Sequence, residues 1–173
     1  MEVIIDGIKY VPEKDANLTV ADVFTKYIGT REYDGVVATI QKWYYGTLVK
    51  ASWCATSLSW CLSQLGIMKY TIGKKQENVY HFVAAIRNTG TAKEISVGAD
   101  LKRGDILVFN WNGSFSPTSD KHITSCNEDT KSNADSIPCI GGNQGDMICV
   151  ANYPRSKLVA VFRPDYTKSN KVV

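Results

Sequence analysis

Residues 52–66 read SWCATSLSWCLSQLG, and their spacing predicts the helix around which the fold is organised. Ser52 can cap it, Trp53 and Cys54 open its first turn, and Leu58, Cys61, Leu62 and Leu65 continue an apolar stripe until Gly66 ends it. In that first turn Cys54 faces unpaired backbone N–H groups and the positive end of the helix dipole, which favour thiolate over thiol. Its thiol is therefore expected to ionise below the ordinary cysteine value of about 8.5. The N–H groups of Cys54 and Ala55 could also receive the oxyanion formed when a thiolate attacks a carbonyl. From this feature alone a buried cysteine on an amphipathic helix is an equal alternative. Cys61, two turns further along the stripe, reads as core.

Outward from this helix, periodicity of three and four residues marks three more. Val20, Val23, Phe24 and Ile28 predict one from Leu18 to Gly29; Val36, Val37, Ile40 and Trp43 a second over Gly35–Tyr45; Val79, Phe82, Val83 and Ile86 a third from about Glu77 to Arg87. At the start, Asp6-Gly7 between Val3–Ile5 and Ile8–Tyr10 signals a hairpin, with a connector around Pro12–Asn17. Past Gly104 the pattern changes to short β-prone runs at Ile106–Phe109, His122–Ser125, Ile137–Ile140, Ile148–Ala151 and Leu158–Phe162. NGSFSPTSD (112–120) and CNEDTKSNADS (126–136) read as the loops between them. Helices first and antiparallel strands second give an α+β domain over residues 18–173, with residues 1–17 as an N-terminal hairpin appendage and connector.

Composition excludes several classes. The chain has 173 residues, 44% hydrophobic and 21% charged, near globular averages. A formal charge of +3 is too small to argue for nucleic acid, no apolar run reaches the length of a membrane span, and the opening MEVIIDGIKYVPEKD lacks the features of a secretion signal. The expectation is a monomer made in the cytoplasm, with neither a nucleic-acid partner nor a membrane span. Five cysteines, an odd number with no CxxC pair, and only two histidines argue against a disulfide scaffold and against a zinc site.

A cysteine nucleophile needs an imidazole to take its proton. His122, opening a strand after a loop, is better placed for this than His81 inside a helix. A third residue should orient the ring; Asn143 in CIGGNQGD is the first candidate, with Asp146 and Gln144 weaker ones and simple turn chemistry as the alternative.

With these residues in view, the sequence resembles the CHAP and NlpC-like cysteine peptidases of the papain-like fold, and within them a subgroup common in phage endolysins. SWCATSLSWCLSQLG is similar to their nucleophile helix, LKRGDILVF to their Gly-Asp-Ile strand, GGNQGD with YPRSKLVAVFRP to the subgroup's ending, and KYIGTRE to its first helix. These four blocks span about Lys26 to Pro164 in the family's order. The chain reads His122-Ile123-Thr124-Ser125 where the family usually reads His-Val-Gly-Ile, and Gly141 where many members place a glutamate. The resemblance implies Cys54 as nucleophile, His122 as base and then acid, and Asn143 as the orienting residue. It also implies bacterial peptidoglycan as partner and its amide bonds as substrate, either the N-acetylmuramoyl-L-alanine bond or one within the peptide, cleaved without cofactor or metal after release to the wall. An antibacterial toxin of the same chemistry, or a noncatalytic wall-binding module, are the competing readings.

Overall fold

A computed structural model describes residues 3–5, 8–10 and 17–169. Val3–Ile5 (β1) and Ile8–Tyr10 (β2) pair antiparallel with Ile5 opposite Ile8, as a hairpin requires. Asp6-Gly7 and the connector from Pro12 to Ala16 lie outside the described residues.

The body is α+β. Five helices, Val20–Thr25 (α1), Gly35–Tyr45 (α2), Cys54–Gln64 (α3), Met68–Thr71 (α4) and Val79–Thr89 (α5), precede a six-stranded antiparallel sheet. Its strands are Lys93–Ile95 (β3), Ile106–Asn110 (β4), Lys121–Cys126 (β5), Ser136–Gly141 (β6), Cys149–Pro154 (β7) and Leu158–Arg163 (β8), in the order β3-β8-β4-β5-β6-β7. Strand alternation divides the apolar residues between two faces. Ile106, Val108, Ile123, Ile140 and Phe162 join the helices in the main core, while Leu107, Phe109, Cys139 and Val161 form a smaller core with Leu101 on the opposite face.

Helix α3 lies at the centre, against α1, α2, α4, α5, β5 and β6. Every residue from Cys54 to Leu62 is buried, so the expected one-sided stripe is in fact a helix enclosed all round. Its hydroxyls are satisfied locally: Ser57 Oγ donates to Cys54 O at 2.8 Å, and Ser59 Oγ donates to Gln76 O at 2.9 Å. Trp53, not Ser52, occupies the N-cap; Ser52 is exposed.

Helix α1 ends at Thr25, short of the expected Gly29, and Ile28 is 51% exposed. The chain leaves the helix because it pairs elsewhere. Gly29 N donates to Ile148 O at 2.8 Å, Ile148 N to Thr30 O at 2.9 Å and Glu32 N to Asp146 O at 2.8 Å. This short ladder pins the loop between β6 and β7, where the site residues Asn143 and Gln144 lie.

Candidate active site

The first unpaired N–H groups of α3 come about as the sequence suggests. Ser57 N is the first to donate within the helix, to Trp53 O at 2.8 Å, which leaves the N–H groups of Cys54, Ala55 and Thr56 without an intrahelical acceptor. The thiol of Cys54 lies against the backbone N–H groups of Ala55 and of Ile123 on β5. These and the charge of Lys121 favour thiolate, but burial outweighs them: Cys54 is 4% exposed, and its thiol is pushed above its ordinary value. The expectation of a lowered thiol value is thus corrected. A helix terminus enclosed on all sides lacks the solvent that would help carry the charge.

His122 follows Lys121 at the start of β5, opposite Phe109 on β4, and is 7% exposed. Its Nε2 lies 3.2 Å from Gln144 Oε1. The chemistry of that contact is fixed from the far end of the glutamine. Gln144 Nε2 donates to Cys149 O at 2.6 Å, and a carbonyl can only accept. The amide oxygen therefore faces the histidine, so the ring must donate from Nε2, leaving Nδ1 as its base. Thr124 Oγ1, 2.9 Å from Gln144 Oε1 and 2.8 Å from Ile140 O, braces the same oxygen. Cys149 Sγ in turn donates to Gln144 O at 3.1 Å. Burial holds the imidazole below its ordinary value of 6.5, opposed by the bond to Gln144 and the charge of Asp120.

The amide that meets the imidazole is thus that of Gln144 and not of Asn143, a correction to the expected partner with a backbone cause. Asn143 has φ of +62°, in the left-handed region that asparagine tolerates better than most residues. There it lines a separate cleft of about 320 Å³ with Glu32, Lys50, Ser52 and Asp146. Asp146, also left-handed at φ +57°, lines that cleft as well.

The two glycines before Asn143 are required by space. A Cβ at Gly142 would stand 2.8 Å from Trp53 Cε3 and would also strike Ser57 Oγ. One at Gly141 would strike the Thr124 hydroxyl, with Thr124 Cβ at 3.1 Å. The bulk at position 124 and the lack of it at 141 therefore fit one another. Tyr153 on β7 completes the wall beside the histidine, its ring centroid 5.5 Å from that of His122 in an edge-on arrangement. Burial raises its hydroxyl to about 12, with the neighbouring thiols, Cys54 among them, adding to the rise. Residue types alone do not single out Tyr153 or Thr124; Thr124 shares β5 with His122, and Tyr153 lies two strands away on β7.

The other candidates lie elsewhere. His81 is exposed on α5 and lines a different groove with Ile72 and Ala85. Cys61, Cys126 and Cys139 are buried, all five cysteines are unpaired, and burial raises the Cys126 thiol to about 11. Among the described residues no three His, Cys, Asp or Glu side chains are grouped to hold a metal, and no helix is long and apolar enough to cross a membrane.

No family model matches the chain, and no curated protein or solved structure matches it either.

Proposed function

We propose that the protein is a cysteine-dependent hydrolase of the papain-like type, cleaving amide bonds of bacterial peptidoglycan through Cys54 and His122, with Gln144 holding the imidazole. One observation carries this reading: a histidine fixed by a buried amide with Nδ1 left basic, on a strand whose next residue, Ile123, meets a thiol at a helix N-terminus. The peptidoglycan substrate rests on the resemblance of the four sequence blocks to wall-active CHAP and NlpC-like enzymes, and the phage-endolysin setting rests there too.

Burial makes the resting pair a neutral thiol and a neutral imidazole. In the proposed reaction the Cys54 proton passes to His122 Nδ1 as sulfur bonds to the amide carbonyl carbon, and the N–H groups of Cys54 and Ala55 receive the oxyanion. His122 then returns the proton to the leaving amine as the C–N bond breaks, giving a thioester. Water, deprotonated by the same nitrogen, releases the acid and restores the thiol. Gln144 keeps Nδ1 available through both transfers.

A second reading, a noncatalytic wall-binding module, is favoured by the near-complete burial of Cys54. Turbidity loss on purified sacculi, with mass analysis of the released fragments, separates the two. Release of fragments with new amine and acid ends supports the hydrolase and names the bond. Binding without release, unchanged by Cys54→Ala, supports the module.

A further inference from the structure

We propose that Cys126 and Cys139 are a disulfide-forming pair, oxidised by a low-molecular-weight disulfide, and that their bond locks β5, which carries His122, to β6, which runs into Gln144. The pair forms its bond whether or not Cys54 hydrolyses an amide. Cys126 and Cys139 stand directly opposite one another in the β5–β6 register. The backbone bonds of Cys126 run to the other side: its N donates to Asp105 O at 2.8 Å and its O accepts from Gly104 N at 2.9 Å, while Asn127 N, one residue on, donates to Pro138 O at 2.9 Å. The two cysteines are therefore a non-hydrogen-bonded pair. At such positions facing Cα atoms come closest, about 4.5 Å apart, within the span of roughly 4.4–6.8 Å that a disulfide bridges. Opposite residues share a face of the sheet, and both thiols are buried in the smaller core with Leu107 and Val161.

No other two cysteines face each other across paired strands among the described residues. On β7, Ala151 is opposite Cys139 and Cys149 is opposite Gly141, while Cys54 and Cys61 lie on α3. Little holds the two thiols apart. Cys126 Sγ donates to Glu128 O at 3.1 Å and Cys139 Sγ to Ile137 O at 3.3 Å. Glu128 O keeps a donor after oxidation, because Thr130 Oγ1 also donates to it at 2.9 Å. Burial raises both thiols, and the Cys126 charge adds to the rise of Cys139, so the reaction runs while the strands are open to solvent during folding. There the Cys126 thiolate attacks one sulfur of the small disulfide and expels a thiolate. Cys139, deprotonated in turn, attacks Cys126 Sγ and expels the second. Both cysteine protons end on the expelled thiolates; the cysteine pair is oxidised by two electrons and the small disulfide is reduced to two thiols. The product closes a loop of about 14 residues, which restricts the unfolded chain and holds β5 and β6 in register.

The test is to refold reduced protein from urea with a mixture of oxidised and reduced glutathione, alkylate the remaining thiols, and cut with trypsin and an Asp-specific protease. Lys131 separates Cys126 from Cys139, and Asp146 separates Cys139 from Cys149, so each cysteine reports separately by mass. The expected product is a pair of peptides joined through Cys126 and Cys139, two hydrogens lighter than the reduced pair. The joined protein should melt roughly 5–10 °C above protein refolded with reduced glutathione alone, as expected for a loop of this size in a chain of this length. Cys126→Ala and Cys139→Ala should each lose that oxidant-dependent rise, whatever their own stability. Absence of the joined pair from the refolded wild type, a bond between any other two cysteines in its place, an unchanged melting temperature in the joined protein, or a rise that persists in either variant overturns the proposal.

Discussion

The two halves of the candidate site are held by different means. Cys54 is placed by backbone alone: the start of α3, the Trp53 cap and the neighbouring N–H of Ile123. His122 is placed by side chains, through a relay from Gln144 to Thr124 and Cys149, closed over two glycines that leave room for Thr124, Trp53 and Ser57. The helix half should therefore tolerate changes in its neighbours as long as the helix forms. The strand half should fail when any one member of the relay changes size or loses a donor.

The largest effect expected is at the reacting atom. Cys54→Ala should lower hydrolysis by about 10⁴-fold or more with an unchanged fold, whereas Cys61→Ala should retain activity and lose roughly 1 kcal/mol of stability from a small core truncation. Turnover on sacculi and urea unfolding check the pair, and normal lysis by Cys54→Ala would refute the nucleophile.

Next comes the relay. Gln144→Ala should reduce kcat by about 10²- to 10⁴-fold, since the imidazole loses its orienting acceptor, while Asn143→Ala should stay within about threefold because its side chain serves a different cleft. If the two variants lost activity equally, or in the reverse order, the assignment of the orienting residue would return to Asn143.

Gly142→Ala should destabilise the protein by about 1–3 kcal/mol, because the added methyl meets an enclosed indole and not a flexible side chain. Equilibrium unfolding measures it. A loss well below this range would mean that the strand half yields more readily than its packing implies.

The smallest effect is a slope. Burial holds the folded His122 below its unfolded value, so its contribution to stability is present above about pH 6.5 and is lost as pH falls through the folded value. The melting temperature should decline over that window, and His122→Gln should flatten the decline. An identical slope in wild type and variant would assign the titration to other groups.

The contrast between the halves also explains what the sequence disclosed. Helix α2 starts and ends where Gly35 and Tyr45 predict, and each of the five β-prone runs lies within or overlaps an observed strand, because long or alternating apolar patterns record burial directly. Met68–Thr71 is too short to show a period. Lys93–Ile95 is an edge strand with little buried surface, so nothing in its residue types alternates. The choice between Asn143 and Gln144 was closed to residue types alone, since both amides can accept from an imidazole. The deciding fact is a left-handed backbone at 143 that directs the next residue to His122. The tolerance of asparagine for that conformation supports only the turn alternative for Asn143 and does not by itself select Gln144.

The position of β8 has a consequence for synthesis. It is the last strand of the described chain yet sits inside the sheet, with β3 on one side and β4 on the other. Lys93 pairs with Arg163 and Ile106 with Phe162, so the edges of two earlier strands stay open until translation has passed residue 163 and those residues have cleared the ribosome. A nascent chain halted before Leu158 would expose both β3 and β4 as unpaired edges prone to joining other chains. The sheet that carries His122 can therefore close only once residue 163 has emerged, and chaperone demand should concentrate before that point.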